Sequence, residues 1–145
     1  MRERQQQAAK ATNDDWENSV CAKCPALCCT YITIEIDEPE DEQDLDNLRW
    51  YLIHDGITVL VEDQRWFVKT KTPCVHLQSD YRCAIYPKRP EACHQYDTES
   101  CDYRIQSEGL ATAYREFADF EQLRRYVEGR WARARRGRKK QRPNR

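Results

Sequence analysis

Cysteine is the residue type that most narrows the chemistry of this chain. Eight cysteines occur in 145 residues, and seven of them fall into two groups. The first group holds Cys21, Cys24, Cys28 and Cys29, and the second group holds Cys74, Cys83 and Cys93. Thiolates at this density bind soft metal ions or iron–sulfur clusters, or they pair as disulfides. The sequence therefore offers three chemistries: zinc, an iron–sulfur cluster or a disulfide framework.

The spacing within the first group is typical of a metal site. Two residues separate Cys21 from Cys24, so both thiolates can reach one ion from a tight turn. Cys28 can join them if a helical loop follows the turn. Its neighbour Cys29 points elsewhere, and it either binds a second metal, contacts the first centre weakly or packs.

The grouping of the thiolates also bears on the identity of the metal. Three close thiolates with a distant fourth are typical of bacterial ferredoxin-type [4Fe–4S] sites. Four-cysteine zinc sites commonly use two close pairs instead. The second group contains no close pair, which slightly favours an iron–sulfur cluster over zinc as the cofactor. Eight thiolates can also serve two metal centres.

Three histidines and one arginine are further candidates. His76 and His94 closely follow cysteines of the second group, so either ring can replace a thiolate, although a histidine beside a ligand is more often an outer donor. His54 lies at the end of a predicted helix, where we expect it to cap. Pro90 suits the first turn of a short helix. The preceding Arg89 donates to loop carbonyls or neutralises an anionic thiolate site, or it is a plain surface arginine.

The N-terminal sequence and the apolar runs indicate the compartment. Residues 1–15 are polar and charged, and they contain no apolar segment of the kind that a secretory signal needs. No apolar run approaches the roughly 20 residues that span a bilayer. We therefore expect a cytoplasmic protein with no membrane partner. In a reducing pool, clustered cysteines serve metal binding or catalysis more often than disulfides, so metal is the favoured chemistry.

Hydrophobic periodicity predicts the elements that position the cysteines. Residues 31–36 alternate and predict a half-buried strand, whose buried face holds Ile32, Ile34 and Ile36. An acidic helix is expected from about residue 37 to Gly56, with an apolar stripe of Leu45, Leu48 and Leu52. Two β-rich runs, 57–61 and 65–70, then predict a hairpin.

The second half of the chain is expected to cover the metal and to end in a helix. Residues 73–104 are rich in proline and cysteine, which predicts loops and short helical turns. From about residue 107 to 136 a helical stripe of apolar residues returns. Together the elements predict an α+β fold. The fold is a small metal-stapled single domain with a short β-hairpin or sheet, an acidic helix, a cysteine-rich loop region and a long C-terminal helix.

Composition divides the chain into three segments. We assign a polar N-terminal arm to residues 1–18, a cysteine-cluster metal-binding domain with the C-terminal helix to 19–131, and a basic tail to 132–145. Nine of the 24 Lys and Arg residues lie between Arg130 and Arg145, where no acid occurs, so the remainder holds 15 basic against 25 acidic residues.

The basic segment from Arg130 to Arg145 has two interpretations. Clustered cations bind the phosphates of nucleic acid or of a ribosome, because binding releases counterions. Alternatively, the segment is a helix end whose charges complement the helix dipole and the acidic body. A protein partner is also compatible with the sequence, which does not identify one.

The cysteine motifs resemble those of a known family. The chain reads C-x2-C-x3-C-C from Cys21, then C-x-H-L from Cys74, then C-x-I-Y-x2-R-P-x2-C from Cys83 to Cys93. This series is similar to the YkgJ-type cysteine-cluster family of zinc- or iron-chelating domains, whose relatives include flagellin lysine N-methylases. The resemblance covers about half of the chain and implies a cytoplasmic metal-binding protein. By position it implies that the seven grouped cysteines are the ligands, while Cys101 lies beyond the matched motif.

Three classes of function follow. The first is a metal-binding protein that coordinates an iron–sulfur cluster or zinc and has an accessory, redox or metal-handling role. The second is a cluster-dependent enzyme resembling the lysine N-methylases, although none of the four glycines forms the loop of a nucleotide or S-adenosylmethionine site. The third is a zinc-stabilised nucleic-acid or ribosome binder. We favour the first, and we expect Cys24→Ser to lose metal and Cys101→Ser to keep it.

Overall fold

Alternating apolar residues form a four-stranded sheet in the computed structural model, which describes residues 20–96, 101–110 and 114–140. The strands are β1 (Tyr31–Ile36), β2 (Ile57–Glu62), β3 (Arg65–Lys71) and β4 (Tyr114–Phe117). Their order across the sheet is β1-β3-β2-β4, and β2 pairs antiparallel with both β3 and β4. Successive strand residues face opposite sides of the sheet. Because Val59, Leu60 and Val61 are all buried, β2 is buried on both faces.

Helices and short turns connect the strands within the described residues. The α-helices are α1 (Val20–Lys23), α2 (Glu42–Leu52), α3 (Glu91–His94), α4 (Asp102–Ser107) and α5 (Phe120–Lys140). Two 3-10 turns occupy Leu27–Cys29 and Tyr86–Lys88. The predicted α+β class is confirmed, as are the acidic helix, the hairpin, the cysteine-rich loop region and the long C-terminal helix. None of the described helices has the length and apolar character that a bilayer crossing needs.

The acidic helix begins at Glu42, later than the predicted start near residue 37, because Asp41 provides the cap. The Asp41 carboxylate accepts a hydrogen bond from the Asp44 amide at 3.0 Å and caps the first turn of α2. Leu45 and Leu48 of the predicted stripe are buried. Beyond the last turn, His54 Nδ1 lies 2.8 Å from the Trp50 carbonyl oxygen. The capping role expected for His54 is therefore confirmed.

The predicted hairpin forms around a turn without glycine. Glu62 of β2 faces Arg65 of β3, and the two residues between them complete the turn. Asp63 has φ +47 and Gln64 has φ +69, which is left-handed backbone at both positions. Two-residue hairpin turns of the primed type need this conformation, and an L side chain adopts it at a cost.

The predicted burial of the isoleucine face of β1 is wrong at two of its three positions. Ile32 is 51% exposed and Ile34 is 56% exposed, while Ile36 packs against the core. The reason is the place of β1 at the edge of the sheet, because no described element covers Ile32 and Ile34. A bidentate ion pair holds this edge: Arg65 donates to both carboxylate oxygens of Glu35, at 3.0 and 2.8 Å.

The predicted helix from residue 107 is wrong in its first part, where the chain forms β4. Phe117 pairs with Val59 and Tyr114 with Glu62, so the open edge of β2 satisfies this backbone and buries Phe117. α5 begins only at Phe120, after Asp119 accepts a hydrogen bond from the Gln122 amide at 2.9 Å. Apolar residues spaced by three fit either structure over so short a segment.

The chain divides into two compact units, and one of them carries the hydrophobic core. This sheet unit comprises residues 32–71 and 112–145, and the other, the cysteine unit, comprises 1–31 and 72–111. The core of the sheet unit consists of Leu45, Leu48, Val59, Val61, Trp66, Phe117, Leu123 and Val127. Packing of α2 and α5 with the sheet buries these side chains, and their removal from water stabilises the unit.

Within the sheet unit, α5 is tied to the segment that precedes α2. The Trp131 indole nitrogen donates to the Pro39 carbonyl oxygen at 3.0 Å, and Arg130 pairs with Glu38 at 2.6 Å. Arg130, the first residue of the basic segment, thus holds a structural ion pair. The helix continues to Lys140, so much of the predicted tail 132–145 is helical. The predicted arm 1–18 and residues 141–145 lie outside the described residues.

Candidate metal centre

All eight cysteines lie in the cysteine unit, and the sheet unit contains none. Each of the eight falls within the described residues and carries a free thiol. The structure therefore holds no disulfide framework. The chain separates its thiol chemistry from its hydrophobic core, and the question becomes what stabilises the cysteine unit.

The cysteine unit has almost no apolar core among its described residues. Its buried hydrophobic residues there are Ala26 and Cys101. Larger apolar side chains lie on its surface, such as Val75 at 91% exposure and Tyr81 at 57%. A small unit with so little burial generally depends on a metal or on cross-links for stability. Free thiols in place of disulfides leave metal as the stabilising agent that fits.

The first group of cysteines lies on a turn followed by a single 3-10 turn. The Cys24 amide donates to the Cys21 carbonyl oxygen at 3.3 Å, which closes the turn after α1. Ala26 then adopts left-handed backbone with φ 56 and leads into Leu27–Cys29. The Cys29 amide donates to the Ala26 carbonyl oxygen at 2.9 Å. The turn and helical loop anticipated for Cys21, Cys24 and Cys28 are therefore present.

Backbone hydrogen bonds bring the second group to the first. The Cys74 amide donates to the Cys29 carbonyl oxygen at 2.7 Å, and the Thr72 amide donates to the Thr30 carbonyl oxygen at 2.9 Å. The His76 amide donates to Cys74 Sγ at 3.4 Å. An amide that donates to sulfur stabilises a thiolate, as it does around thiolate-bound metal centres.

A hairpin-like loop carries Cys83 back toward Cys74. Cys83 forms an isolated antiparallel bridge with Leu77, and the Ala84 amide donates to the His76 carbonyl oxygen at 2.9 Å. Further along, the chain passes through Tyr86–Lys88 into α3, on which Cys93 lies. The loop and short helices predicted for residues 73–104 thus bring the three distant cysteines back toward Cys29.

Cys101 is the one buried cysteine, and it occupies the position before a helix that contacts the 3-10 turn of the first group. It is 7% exposed and precedes α4, which contacts the 3-10 turn Leu27–Cys29. The Tyr31 hydroxyl donates to Asp102 Oδ2 at 2.8 Å and so anchors the first residue of α4. Residues 71 positions apart in sequence are thereby held together beside Cys101. Sequence spacing gave no sign of this approach.

Two thiols of the first group, those of Cys21 and Cys28, share an electrostatic environment with Cys101. Burial raises the pKa of Cys21, and the nearby Cys101 and Cys24 thiols raise it further. Burial, together with neighbouring thiols that include Cys29, Cys24 and Cys101, raises the pKa of Cys28 to about 12. Without metal these groups are protonated at neutral pH. A bound cation reverses that preference, because it replaces the protons and compensates several thiolates at once.

Cys29 interacts with a different group of thiols. Burial raises the pKa of Cys29, a hydrogen bond with Cys28 lowers it, and the charges of Cys74, Cys83 and Cys93 raise it. Cys29 is therefore close to all three cysteines of the second group. The adjacent residues Cys28 and Cys29 serve different surroundings, as expected if one of them lies outside the first centre.

Arg89 makes the hydrogen bond to a loop carbonyl that the sequence offered as one of its roles. Its Nε donates to the Tyr86 carbonyl oxygen at 3.1 Å, and its guanidinium lies 3.8 Å from the centre of the Tyr86 ring. Its positive charge also opposes the effects of burial and of the neighbouring thiols on the pKa of Cys21. Arg89 thus stabilises the loop before α3 and favours the thiolate form of Cys21.

The donor set fits a thiolate-bound metal, although the side chains are not arranged around a point. No three His, Cys, Asp or Glu side chains among the described residues have positions that would hold a metal ion directly. His76 and His94 have exposed rings. Binding therefore requires thiol deprotonation and side-chain rotation, which is the usual coupling of metal binding to local folding. Eight free thiols on loops that are already hydrogen-bonded to each other provide the ligands.

Solvent reaches the first group through a cleft. The cleft has a volume of about 280 Å³ and is lined by the turn that carries Cys21 and Cys24 and by the tip of the loop at residues 80–82. Lys23, Asp80 and Arg82 give it a polar rim. A metal donor or a small reductant can approach this side of the unit.

A small α+β protein whose thiols are gathered in a loop unit without an apolar core belongs to the class of thiolate metal-binding proteins. The CxxCxxCC family, described as "Putative zinc- or iron-chelating domain", matches residues 20–122. The match covers more than half of the chain, and the chain belongs to this family. It agrees with the resemblance seen in the cysteine motifs. Comparison with curated proteins and with solved structures gave no match.

Proposed function

We propose that the cysteine unit holds an iron–sulfur cluster, or zinc in its place, and that the protein serves a redox or metal-handling role for a partner. The observation that carries this proposal is the placement of eight free thiols in one compact unit with almost no described hydrophobic core. Metal binding would supply the stability that burial does not. A reducing, cytoplasmic location would keep the thiols available.

One feature supports iron–sulfur over zinc, and a second supports thiolate ligation in general. The first group retains the pattern of three close thiolates followed by distant ones, with the second group contributing no close pair. The His76 amide that donates to Cys74 Sγ is the kind of contact that tunes the reduction potential of a cluster. A four-cysteine zinc site can also use such an amide, so the contact supports thiolate ligation in general and the spacing supports iron.

Elemental analysis of protein purified without oxygen tests the proposal. We expect iron in several equivalents per chain, with a matching amount of acid-labile sulfide and little zinc. Zinc without iron or sulfide would leave thiolate ligation standing and remove the redox role. A chain that binds neither metal during anaerobic reconstitution would contradict the proposed function as a whole. Serum albumin carried through the same reconstitution measures adventitious metal.

A second candidate function is nucleic-acid binding by α5. Beyond Trp131 the helix exposes four arginines, which are Arg133, Arg135, Arg136 and Arg138. The ion pairs found in the described residues use Arg124 and Arg130 of α5 and none of these four. A helix that presents unpaired cations gains from counterion release when it contacts phosphates.

Salt dependence tests this second candidate. The full chain should bind a fluorescent duplex with an affinity that falls steeply between low and physiological salt. A variant with all four exposed arginines changed to glutamine should lose binding, whereas Arg104→Gln in the cysteine unit should retain it. Equal binding by both variants, or an affinity that salt does not change, would contradict the phosphate-binding role.

A further inference from the structure

We propose that the last turns of α5 insert into the major groove of B-form DNA. The basic end of α5 is defined as residues 133–138, which read R-A-R-R-G-R. The inference rests on the second candidate function, phosphate binding by α5, and it names the partner and the way in which the helix meets it. Three properties of the basic end support it: its exposure, the distribution of its arginines around the helix axis and the small size of its other residues.

The basic end is helical and exposed along its whole length. Packing of α5 against the core of the sheet unit extends to Trp131, and the helix continues to Lys140. Each residue from Arg133 to Arg138 is exposed. A helix that is already formed enters a groove without the entropic cost of ordering its backbone.

The four arginines of the basic end form two pairs on opposite sides of the helix. Successive residues of an α-helix are rotated by about 100° around its axis. Arg133 and Arg136 therefore lie within about 60° of each other, as do Arg135 and Arg138, and the middles of the two pairs are about 160° apart. A groove presents phosphates along two opposite walls, whereas a flat anionic surface contacts one side of a helix. This distribution of charge favours a groove.

The residues between the arginines are small. They are Ala134 and Gly137, and the basic end contains no large apolar residue. A helix that lies in a membrane interface needs a face of such residues, so the composition does not suit a lipid surface. Small side chains instead let the helix backbone approach the floor of a groove while the arginines reach the walls.

The width of the groove selects the nucleic acid. The major groove of B-form DNA is about 12 Å wide and admits an α-helix, whereas its minor groove is about 6 Å wide. The major groove of A-form RNA is deep and narrow, and side chains cannot read it. B-form DNA is therefore the duplex that accepts the basic end.

Charges elsewhere in the chain limit the contact to this part of the helix. The ion pairs found in the described residues of α5 occupy Arg124 and Arg130, and they leave the charge of the basic end to phosphates. Outside residues 130–145 the chain holds 15 basic against 25 acidic residues, so the rest of the protein repels phosphates. The contribution of each pair of arginines should therefore be measurable separately.

A duplex with a filled major groove tests the site of insertion. The probes are a fluorescent DNA duplex, the same duplex with glucosylated 5-hydroxymethylcytosine in place of cytosine, and an RNA duplex of the same sequence. The sugar occupies the major groove and leaves the phosphate charge unchanged. The full chain should bind both altered duplexes about tenfold or more weakly than the plain DNA, comparable to the loss of one good contact in the groove. Equal affinity for the plain and the glucosylated DNA would overturn insertion into this groove.

Two matched double variants test the contact with both walls. Each phosphate contact contributes about −0.9 to the slope of log affinity against log salt concentration on B-form DNA. Arg133→Gln with Arg136→Gln, and Arg135→Gln with Arg138→Gln, should each make the slope less steep by about 1.8. Glutamine is a good helix former, so both variants keep the helix. A change of slope in only one of the two variants would show a one-sided contact and overturn the insertion.

The outcomes distinguish this inference from the function on which it rests. Steeply salt-dependent binding to all three duplexes with similar affinity would overturn groove insertion and leave the phosphate-binding role standing. Binding to vesicles of phosphatidylserine and phosphatidylcholine, with no binding to any duplex, would overturn both and identify a lipid surface instead. Absence of binding to every duplex at low salt would likewise overturn both.

Discussion

The individual thiols explain how the metal-free and metal-bound states differ. Burial raises the pKa of Cys21 and Cys29, and burial with neighbouring thiols raises that of Cys28 to about 12. Protonated thiols are neutral, so several of them can lie close together without repulsion. Metal binding exchanges their protons for one multivalent cation, and it thereby couples metal affinity to pH.

The first prediction concerns this coupling. Zinc affinity of the full chain should increase as pH rises from 6 to 8, because each thiol that binds must first release its proton. For a four-thiolate centre the slope of log affinity against pH approaches about four when all four thiols start protonated. Competition with a chromophoric chelator at several pH values measures the slope. An affinity that does not change over this range would show that the ligands are not these thiols.

The same raised pKa values predict the opposite pH effect on the metal-free fold. The folded state favours protonated Cys28, whose ordinary pKa is 9.0 and whose folded pKa is about 12. The resulting stability is complete below pH 9 and is lost as pH rises toward 12. The denaturant midpoint of the metal-free chain should therefore fall over this window. Cys28→Ser removes this thiol and should reduce the fall, while a midpoint that rises would contradict the sign.

The sequence predicted seven grouped cysteines as metal ligands and left Cys101 apart, and the structure places all eight in one unit. The spacing of cysteines in the sequence shows which thiols one turn can bring together, and it correctly predicted the turn that carries Cys21 and Cys24. The spacing does not predict that α4 approaches this turn, because that approach depends on the long-range contact between Tyr31 and Asp102. The ligand roles of all eight remain predictions.

At the scale of elements, a substitution in the turn between β2 and β3 should increase the stability of the hairpin. Gln64 holds φ +69, a conformation that glycine adopts without cost. Gln64→Gly would create an Asp-Gly turn, the preferred sequence for this hairpin type. We expect the free energy of unfolding to increase by about 0.5–1 kcal/mol. Denaturant unfolding monitored by tryptophan fluorescence measures it. Gln64→Ala is the control and should give no gain, and an equal gain from alanine would exclude the backbone explanation.

The packing of α5 provides a second prediction at this scale. Leu123 is fully buried in the core of the sheet unit, whereas Ile53, after α2 in the same unit, is 70% exposed. Leu123→Ala should destabilise the sheet unit by about 2–5 kcal/mol through lost burial and a residual cavity. Ile53→Ala should change its stability little. Chemical denaturation compares the two, and similar losses from both would contradict the assigned core.

Hydrophobic periodicity predicted the longer helices and strands correctly, and it failed for a segment of only four residues. The acidic helix with its three leucines and the hairpin with its β-rich runs were confirmed. Residues 114–117 were wrongly assigned to a helix, because a four-residue segment fits both periods and the edge of β2 decided the outcome. The burial expected for Ile32 and Ile34 failed for a related reason, since alternation shows a shared face and not what covers it.

At the scale of the whole molecule, the two units draw their stability from different sources. The sheet unit has a contiguous core that centres on Trp66 and Leu123. The cysteine unit has two buried hydrophobic residues in its described part and eight thiols. Hydrophobic burial therefore stabilises the sheet unit, whereas metal binding can stabilise the cysteine unit.

The last prediction follows from this separation of stabilising forces. Removing metal from the full chain with a chelator should abolish amide hydrogen-exchange protection in residues 72–96, which carry three of the proposed ligands. Protection in β2 and β3 should persist, because the hydrophobic core around Trp66 needs no metal. Hydrogen exchange followed by mass spectrometry resolves both segments in one sample. Leu123→Ala is the matched control, because it should weaken protection in β2 and β3 and leave the metal content unchanged. Loss of protection in both units on chelation would show that metal organises the entire chain. Unchanged protection in both would show that the cysteine loops hold their structure without metal.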